Sequence, residues 1–377
     1  MAAEAELPEA MEKLYNLCSK WGQNDEALLW ANKLYEFRIK IYGEEHPDTL
    51  ASLRNLANAH ISLGDYEKAL NLYKKAYQLS IHTLGEGSPD TLTSLHNIAY
   101  LYSNVGQYEE SANIYEKVYE FSIKDFGEEH FNTLTALNNL AYAYEKAGDC
   151  QKALLLYEKL YASSVAAFGE NDPNTLISLN NLAYSYSKCG NRLKALELHE
   201  IVYKQRMKLF GDTHASTLTA ASNLASAYAD LNNIYKSLEI YENVYIQRVN
   251  TLGSYHTDTL LSLNNLAVAY NKLQAYSKAL ELFEKVYTER VIVLGEKHPD
   301  TLSSLYNLAF SYACNANQSK AVELFEKVYA QRTEVLGENS SATLESMDAL
   351  SNMYDAIGEH GKAEELRAKK KRIEGNE

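Results

Sequence analysis

The sequence predicts an all-α solenoid of nine antiparallel helix pairs, because three observations indicate the same repeating unit. The chain of 377 residues matches itself at steps of forty-two residues. Within each unit, apolar residues recur at steps of three and four, the period of a helix buried along one stripe. Glycine follows nearly every predicted helix, where it supplies the positive φ of a helix C-cap. Self-similarity of this length is typical of solenoids, whose units bury their apolar faces only against neighbours.

Two series of residues define the repeat length without any insertion or deletion. One is glycine and the other is tyrosine eight residues earlier. The glycines are Gly43, Gly85, Gly127, Gly169, Gly211, Gly253, Gly295 and Gly337, and the tyrosines are Tyr35, Tyr77, Tyr119, Tyr161, Tyr203, Tyr245, Tyr287 and Tyr329. Residues 1–377 are therefore predicted to form a single solenoid domain. Its repeats, numbered one to nine, span 1–42, 43–84, 85–126, 127–168, 169–210, 211–252, 253–294, 295–336 and 337–377.

Repeat two shows the design of a unit. Leu50, Leu53 and Leu56 lie on the buried stripe of its first helix, and Gly64 separates that helix from the second. Repeats six, seven and eight carry Asn232, Gln274 and Ala316 in place of this glycine, so a different turn geometry is expected there. Repeat nine ends in a polar helix, as a solenoid requires at an end that stacks on nothing.

The residue before each first helix is predicted to cap it. Ser88 and Asp172 take the place that His46 occupies in repeat two, which favours a side-chain acceptor for a free backbone N–H. The other histidines of this series are His130, His214, His256 and His298. With one histidine per repeat, they are too far apart to share a metal ion at ligand distances of about 2 Å.

Composition and charge exclude several functional classes. A hydrophobic content of 46% with only 5 prolines fits helices, and a net charge of −14 argues against binding nucleic acid or anionic membranes. No secretory signal and no apolar run of about 20 residues is visible. Four cysteines without a CxxC spacing predict reduced thiols. We therefore expect a cytoplasmic protein without a membrane segment.

No sequence motif predicts catalysis. The patterns GxxxxGK[ST], GxSxG, HExxH and GxGxxG are all absent. Scattered aspartates and glutamates are interpreted as solvated helix faces. The sequence therefore predicts no enzyme, no cofactor and no metal site.

The repeat consensus GEEHPDTLxSLxNLAxAYxxxGxYEKALxLYEKVYxxRxxxLG resembles the tetratricopeptide repeat, at forty-two residues instead of about 34. It is most similar to the long variant found in kinesin light chains, over essentially the whole chain. The resemblance implies a right-handed superhelix with a concave inner surface that binds an extended peptide. It also implies that one face of the first helices lines this surface.

That face comprises positions 51, 55, 58 and 62 of repeat two and their equivalents, which are neighbours on a helix but lie off the buried stripe. It carries asparagine in seven successive repeats, with tyrosine or lysine beside it in several. The predicted peptide-binding residues are Asn97, Tyr100, Asn139, Tyr142, Lys146, Asn181, Tyr184, Lys188, Asn223 and Asn265. Tyrosine and lysine suit a peptide with an aromatic or apolar anchor and acidic residues.

Two interpretations of the asparagine series stay open. An amide both donates and accepts, so these side chains can hold a peptide backbone regardless of its sequence. They can equally bond the neighbouring repeat and set the pitch of the superhelix. For tyrosine, Tyr144 is expected on the buried stripe, and Tyr142 lies about 200° away from it. Tyr142 is therefore expected to face the groove.

Two further series are expected to be structural. The tyrosines equivalent to Tyr77 predict packing between repeats. The arginines in the last turns of several second helices predict complementation of the helix C-terminus. They are Arg38, Arg206, Arg248, Arg290 and Arg332, with Ser80, Ser122 and Ser164 in their place in repeats two to four.

The expected function is a peptide- or protein-binding scaffold or adaptor. One alternative is the ligand-sensing arm of a larger signalling ATPase or transcription regulator. Another is a self-assembling structural scaffold, although the charged last helix argues against end-to-end stacking. The sequence does not indicate an oligomeric state.

Overall fold

Residues 2–375 are described by the structure, a computed structural model, and over this range they form α-helices without any β-strand. The helices follow one another in pairs, so the predicted all-α repeat solenoid is confirmed. The contacts divide the chain into an N-terminal unit, Met1–Asn191, and a C-terminal unit, Arg192–Glu377. A single domain over residues 1–377 stays a prediction.

The helix bounds follow the predicted repeats. The N-terminal unit contains α1 (Ala2–Lys20), α2 (Asn24–Tyr42), α3 (Pro47–Ser62), α4 (Tyr66–Leu84), α5 (Pro89–Asn104), α6 (Tyr108–Phe126), α7 (Phe131–Lys146), α8 (Cys150–Phe168) and α9 (Pro173–Lys188). The C-terminal unit contains α10 (Arg192–Phe210), α11 (Ala215–Asp230), α12 (Ile234–Leu252), α13 (Thr257–Lys272), α14 (Tyr276–Leu294), α15 (Pro299–Cys314), α16 (Gln318–Leu336), α17 (Ser341–Ala356) and α18 (His360–Glu374). None of these helices carries an apolar stretch long enough to cross a bilayer.

The turns into α3, α5, α7, α9, α11, α13 and α15 have the predicted side-chain cap. His46 Nδ1 accepts a hydrogen bond from the backbone N–H of Asp48 at 3.2 Å. Asp172 accepts from the N–H of Asn174 in the same way. The same histidine cap is formed by His130, His214, His256 and His298. The capping interpretation is therefore confirmed for these helices, whereas Ser340 makes no side-chain bond at the start of α17.

The turn within each repeat keeps one geometry even where glycine is missing. Gly64 has a φ of 77°. Asn232, Gln274 and Ala316 have φ values of 61°, 64° and 59°, in the same left-handed region. The expectation of a different turn in repeats six to eight is therefore wrong. Packing of the flanking helices imposes the conformation on side chains that rarely adopt it.

Each core is shared between neighbouring repeats. In the N-terminal unit, Ala57 of α3, Ala69 and Tyr73 of α4, and Ile98 and Leu101 of α5 form one buried cluster. The alanines let the paired helices approach closely, and the larger side chains fill the space beside the next first helix. A helix pair therefore completes its core only with its successor.

Ala141 of α7 tests this assignment, because it is fully buried. We expect Ala141→Leu to lower the free energy of unfolding by about 1–3 kcal/mol through overpacking. The matched control is Ala162→Leu on α8, where the alanine is exposed. Thermal and denaturant unfolding measure both variants, and equal midpoints for the two would contradict the buried stripe.

Buried arginines join neighbouring repeats in the C-terminal unit. Arg290 Nη1 donates to the carbonyl oxygen of Asp300 and to Ser304 Oγ, each at 2.8 Å. Arg248 makes the same pair of bonds to Asp258 and Ser262. The sequence interpretation, in which these cations complement the end of their own helix, misses this contact. The guanidinium instead binds the first turn of the next repeat's first helix.

We call the contact between a second helix and the first helix of the next repeat a joint. In repeats two to four a serine replaces the arginine, so the joint has no guanidinium. Thr175 Oγ1 still donates to the carbonyl oxygen of Ser164 at 3.1 Å, as Thr217 does to Arg206 at 3.2 Å in the C-terminal unit. One backbone contact is thus common to both kinds of joint. The serine joints differ from the arginine joints because they lack the arginine side chain and the volume that it fills.

The arginine joint is expected to contribute measurably to stability. Arg290→Ala leaves buried acceptors on α15 without their donor, which costs about 1–3 kcal/mol. Arg372→Ala, at an exposed site on α18, is the control and is expected to change stability by less than about 0.5 kcal/mol. Denaturant unfolding compares the two variants with the wild type. An unchanged midpoint for Arg290→Ala would show that the joint contributes nothing.

The tyrosine series also connects repeats, as predicted. Lys285 Nζ donates to the hydroxyl of Tyr245 at 3.2 Å, and Lys75 does so to Tyr35 at the same distance. Each lysine lies 40 residues after its tyrosine, on the second helix of the following repeat. These tyrosines therefore belong to the joints.

One cysteine pair corrects the thiol prediction. Cys150, the first residue of α8, and Cys189, which follows α9, form a disulfide with their Cα atoms 5.7 Å apart. Cys18 and Cys314 are free thiols. The expectation of four reduced cysteines is wrong for the pair, because residues 39 apart meet where one repeat contacts the next.

Candidate peptide-binding site

The predicted aromatic residues lie on the surface of the N-terminal unit. Tyr100 of α5, Tyr142 of α7 and Tyr184 of α9 are 46%, 45% and 45% exposed. The tyrosines two positions later are only half-buried, although the sequence placed them on the buried stripe. Among them, the Tyr186 hydroxyl donates to Glu158 Oε1 at 2.5 Å, and the Tyr144 hydroxyl donates to Glu116. The hydroxyls of Tyr144 and Tyr186 are thus already bonded within the N-terminal unit.

A cavity of about 420 Å³ opens between α5, α6 and α7, and we call it the groove pocket. Four predicted residues line it: Tyr100, Asn139, Tyr142 and Lys146. The remaining lining residues, which the sequence analysis did not select, are Ser103, Asn104, Tyr108 and Tyr115. Asn97, Asn181, Tyr184 and Lys188 do not line it. The structure therefore places four of the ten predicted peptide-binding residues at this pocket.

Tyr115 forms part of the floor of the groove pocket. It is 4% exposed, and its ring packs edge-to-face on His96 at 5.3 Å between centroids. Burial, with a smaller effect of Tyr100, raises the pKa of the Tyr115 hydroxyl, which therefore keeps its proton and can donate to a ligand. The sequence showed only an apolar stripe at this position. A second-helix tyrosine aligned with Tyr73 is the signal that was available.

The asparagine series serves two roles. Asn181 Nδ2 donates to Asn138 Oδ1 at 2.8 Å, and Asn307 donates to Asn264 at 3.0 Å, so these two bond the preceding repeat. In the repeat before Asn139, the residue that aligns with Asn138 and Asn264 is His96. Within residues 2–375, no hydrogen bond holds the Asn139 amide.

The remaining asparagines do not line the groove pocket. Asn97 of α5 is half-buried in the N-terminal unit. Asn223 and Asn265 are half-buried on α11 and α13 of the C-terminal unit. Asn139 is thus the one member of the predicted series whose amide opens into a described pocket.

Two lysines lie over the exposed tyrosine rings. Lys146 Nζ is 5.3 Å from the centroid of Tyr142, and Lys188 Nζ is 5.1 Å from that of Tyr184. Both distances fall within the range of a cation–π contact. The ammonium groups are therefore held beside the rings on the first-helix face.

Glu145 is a carboxylate at this face that the sequence analysis treated as solvated. It is half-buried, and its Oε2 has no hydrogen-bond partner among the described residues. Burial raises the pKa of the Glu145 carboxyl group, while the Lys146 and Lys188 cations act in the opposite direction. The lysines thus already compensate one half-buried acid.

The raised pKa makes the contribution of Glu145 depend on pH. A carboxyl group whose folded pKa exceeds its unfolded pKa stabilises the fold at low pH, and this contribution is lost as pH rises through the folded pKa. We expect Glu145→Gln to be more stable than the wild type at about pH 7. The gain should stay below about 1 kcal/mol, because water screens a half-exposed group, and it should shrink toward pH 4.

Thermal unfolding of both proteins across this pH range measures the difference. The exposed residue Glu120 supplies the control variant Glu120→Gln, for which no such trend is expected. A stability gain of Glu145→Gln over the wild type that grows as pH falls would contradict the raised pKa of Glu145.

The described residues hold no group of three or more His, Cys, Asp or Glu side chains able to bind a metal ion. Amides, phenols and one ammonium group surround the groove pocket. Such groups recognise polar and aromatic groups by hydrogen bonding and stacking.

Comparison with known proteins identifies the repeat. A family model described as the tetratricopeptide repeat matches residues 11–82, 90–164, 174–234, 216–288 and 300–367. No curated protein sequence matches the chain.

Solved structures include similar repeat proteins. TPR-like repeats assigned to a kinesin light chain of Podosopora anserina are 31% identical, cover 54% of this chain and 96% of theirs, and have a TM-score of 0.47. A tetratricopeptide repeat protein from Parabacteroides merdae is 16% identical, covers 79% of this chain and 98% of its own, and has a TM-score of 0.53. The second likeness shows a shared fold.

Proposed function

Since the chain belongs to the tetratricopeptide repeat family, whose members generally mediate protein–protein interactions, we propose that it is a scaffold or adaptor that holds an extended peptide. The observation that carries the proposal is the groove pocket. It combines the uncommitted amide of Asn139 with exposed rings of Tyr100 and Tyr142 and with the Lys146 cation. These are the groups that a peptide backbone, an apolar side chain and a carboxylate each require.

Each group has a separate task in the proposal. The Asn139 amide donates to one peptide carbonyl and accepts from one N–H, independent of the peptide sequence. Tyr100 and Tyr142 flank an aromatic or apolar side chain, and the Tyr115 hydroxyl at the floor donates to a polar group of the peptide. Lys146 pairs with a neighbouring acid of the peptide.

The surface extends along the first helices of the N-terminal unit. Tyr184 and Lys188 repeat on α9 the ring and cation of α7. Asn181 has a different role, because its bond to Asn138 orients the asparagines of two consecutive repeats. The peptide is thus proposed to lie across repeats three to five, with its anchor between repeats three and four. The proposal includes no catalytic step and places the protein in the cytoplasm.

Paired substitutions test the site. Peptides selected from a displayed library of random linear sequences are expected to share an aromatic or apolar residue beside acids. Asn139→Ala combined with Tyr142→Ala should weaken binding of a selected peptide more than tenfold. One hydrogen bond contributes about 0.5–1.5 kcal/mol and a central aromatic anchor about 2 kcal/mol or more. Fluorescence anisotropy measures the dissociation constants.

The control is the same pair of changes at the equivalent positions of repeat seven, Asn265→Ala with Val268→Ala. It should leave binding within about twofold of the wild type. Added salt should weaken binding by the wild type more than by Lys146→Met, because the ion pair is screened. Equal losses from both double variants would place the peptide elsewhere.

A further inference from the structure

A second, apolar cavity of about 240 Å³ lies between the N-terminal halves of α7 and α9. We call it the Ser164 pocket. Phe131, Leu134, Leu160 and Ile177 form its walls together with Phe168 at the end of α8. Phe131 is 59% exposed and Ile177 is 50% exposed, so the rim is open.

The pocket exists because Ser164 stands where other repeats carry a joint arginine. In repeat seven, the side chain of Arg290 crosses this space to reach Asp300 and Ser304. The corresponding acceptors beside Ser164 are the carbonyl oxygen of Asn174 and Ser178 Oγ, and both residues line the cavity. No guanidinium reaches them from position 164.

A charged pair spans the equivalent opening at an earlier serine joint. Arg54 Nη2 of α3 binds Asp90 Oδ1 of α5 at 2.5 Å, after Ser80. The equivalent residues beside Ser164 are Asn138 and Asn174, which carry no charge and line the pocket. The Ser164 pocket is therefore open and without a charged lining residue.

We infer that the Ser164 pocket is a second subsite that takes one apolar side chain of the peptide anchored in the groove pocket. This inference rests on the proposed function. The two cavities share α7, whose Asn139 and Tyr142 line the groove pocket while Thr135 and Asn138 line the Ser164 pocket. A peptide that crosses α7 from the groove pocket toward the N-terminus of α7 therefore reaches the second cavity.

The spacing of the two side chains follows from helix and chain geometry. Tyr142 and Thr135 are seven residues apart on α7, or about 10 Å along the axis, and neighbouring helix axes are about 8–10 Å apart. The diagonal distance given by these two separations is spanned by about three to five residues of extended chain at about 3.3 Å each. The second apolar residue thus lies about three to five residues from the anchor.

The size and chemistry of the cavity favour a side chain of such a peptide. A charged side chain would lose its hydration there without gaining a charged partner. A second copy of the protein would need about 1,200–2,000 Å² of contact for a stable dimer, whereas this cavity accommodates a single leucine-, isoleucine- or phenylalanine-sized group.

Ser164→Arg closes the pocket with a residue that the fold accepts at the same place in other repeats. The added guanidinium has the carbonyl of Asn174 and the hydroxyl of Ser178 as acceptors, so the variant is expected to fold. The probes are a library-selected peptide and its derivative with alanine in place of the second apolar residue. We expect Ser164→Arg to weaken the parent peptide about tenfold or more and to leave the alanine derivative unchanged within about twofold.

Two further variants complete the test. Ser122→Arg makes the same change at the preceding joint and should leave both peptides unaffected. Ile177→Asn changes an exposed rim residue and should weaken the parent peptide selectively, which keeps the test decisive if Ser164→Arg unfolds. Light scattering of the free protein follows self-association.

The outcomes separate the two proposals. If Asn139→Ala with Tyr142→Ala abolishes binding while Ser164→Arg and Ile177→Asn do not discriminate between the peptides, the second subsite is wrong and the groove proposal stands. Concentration-dependent dimers that Ser164→Arg abolishes would assign the pocket to a second copy and overturn the inference. If no linear peptide binds the wild type, both proposals fail.

Discussion

The structure depends on the contact between one helix pair and the next, because no pair can bury its apolar surface alone. Small residues such as Ala57 and Ala69 allow close approach within a pair, and residues of the following first helix complete the cluster. Stability in such arrays is approximately a sum of repeat and interface contributions. A substitution at one joint is therefore expected to act locally, which lets a joint vary without loss of the fold.

Variation at the joints is what distinguishes the parts of this chain. Where Arg290 fills the space between second and first helices, the joint is a closed polar contact. Where Ser164 replaces it, the backbone contact remains and an apolar cavity opens. The replacement of a structural arginine by serine thus opens a surface that is proposed to bind the peptide. The same holds for the asparagines, of which Asn181 is used by its neighbour and Asn139 opens into a pocket.

The electrostatics of the first-helix face combine cations with a half-buried acid. Lys146 and Lys188 lie over tyrosine rings, and both also offset the charge of Glu145. A peptide carboxylate must therefore compete with Glu145 for the same cations. Electrostatic attraction alone is then a weak source of affinity at an exposed site, and the aromatic and apolar contacts carry more of the proposed recognition.

The amino-acid sequence by itself determined the all-α repeat, the helix pairs with their caps, and the exposed positions of Tyr100 and Tyr142. These features depend on local periodicity and on backbone groups a few residues apart, which one sequence displays directly. The tertiary structure alone decided the bonds of Asn181 and of the joint arginines, the burial of Glu145, and the meeting of Cys150 with Cys189. It also decided which residues surround each pocket. Such features depend on contacts between neighbouring repeats, from 10 residues apart for Arg290 and Asp300 to 43 residues apart for Asn181 and Asn138. Periodicity aligns these residues in sequence but does not specify which side chains touch, because that depends on the volume and hydrogen-bonding groups of both partners.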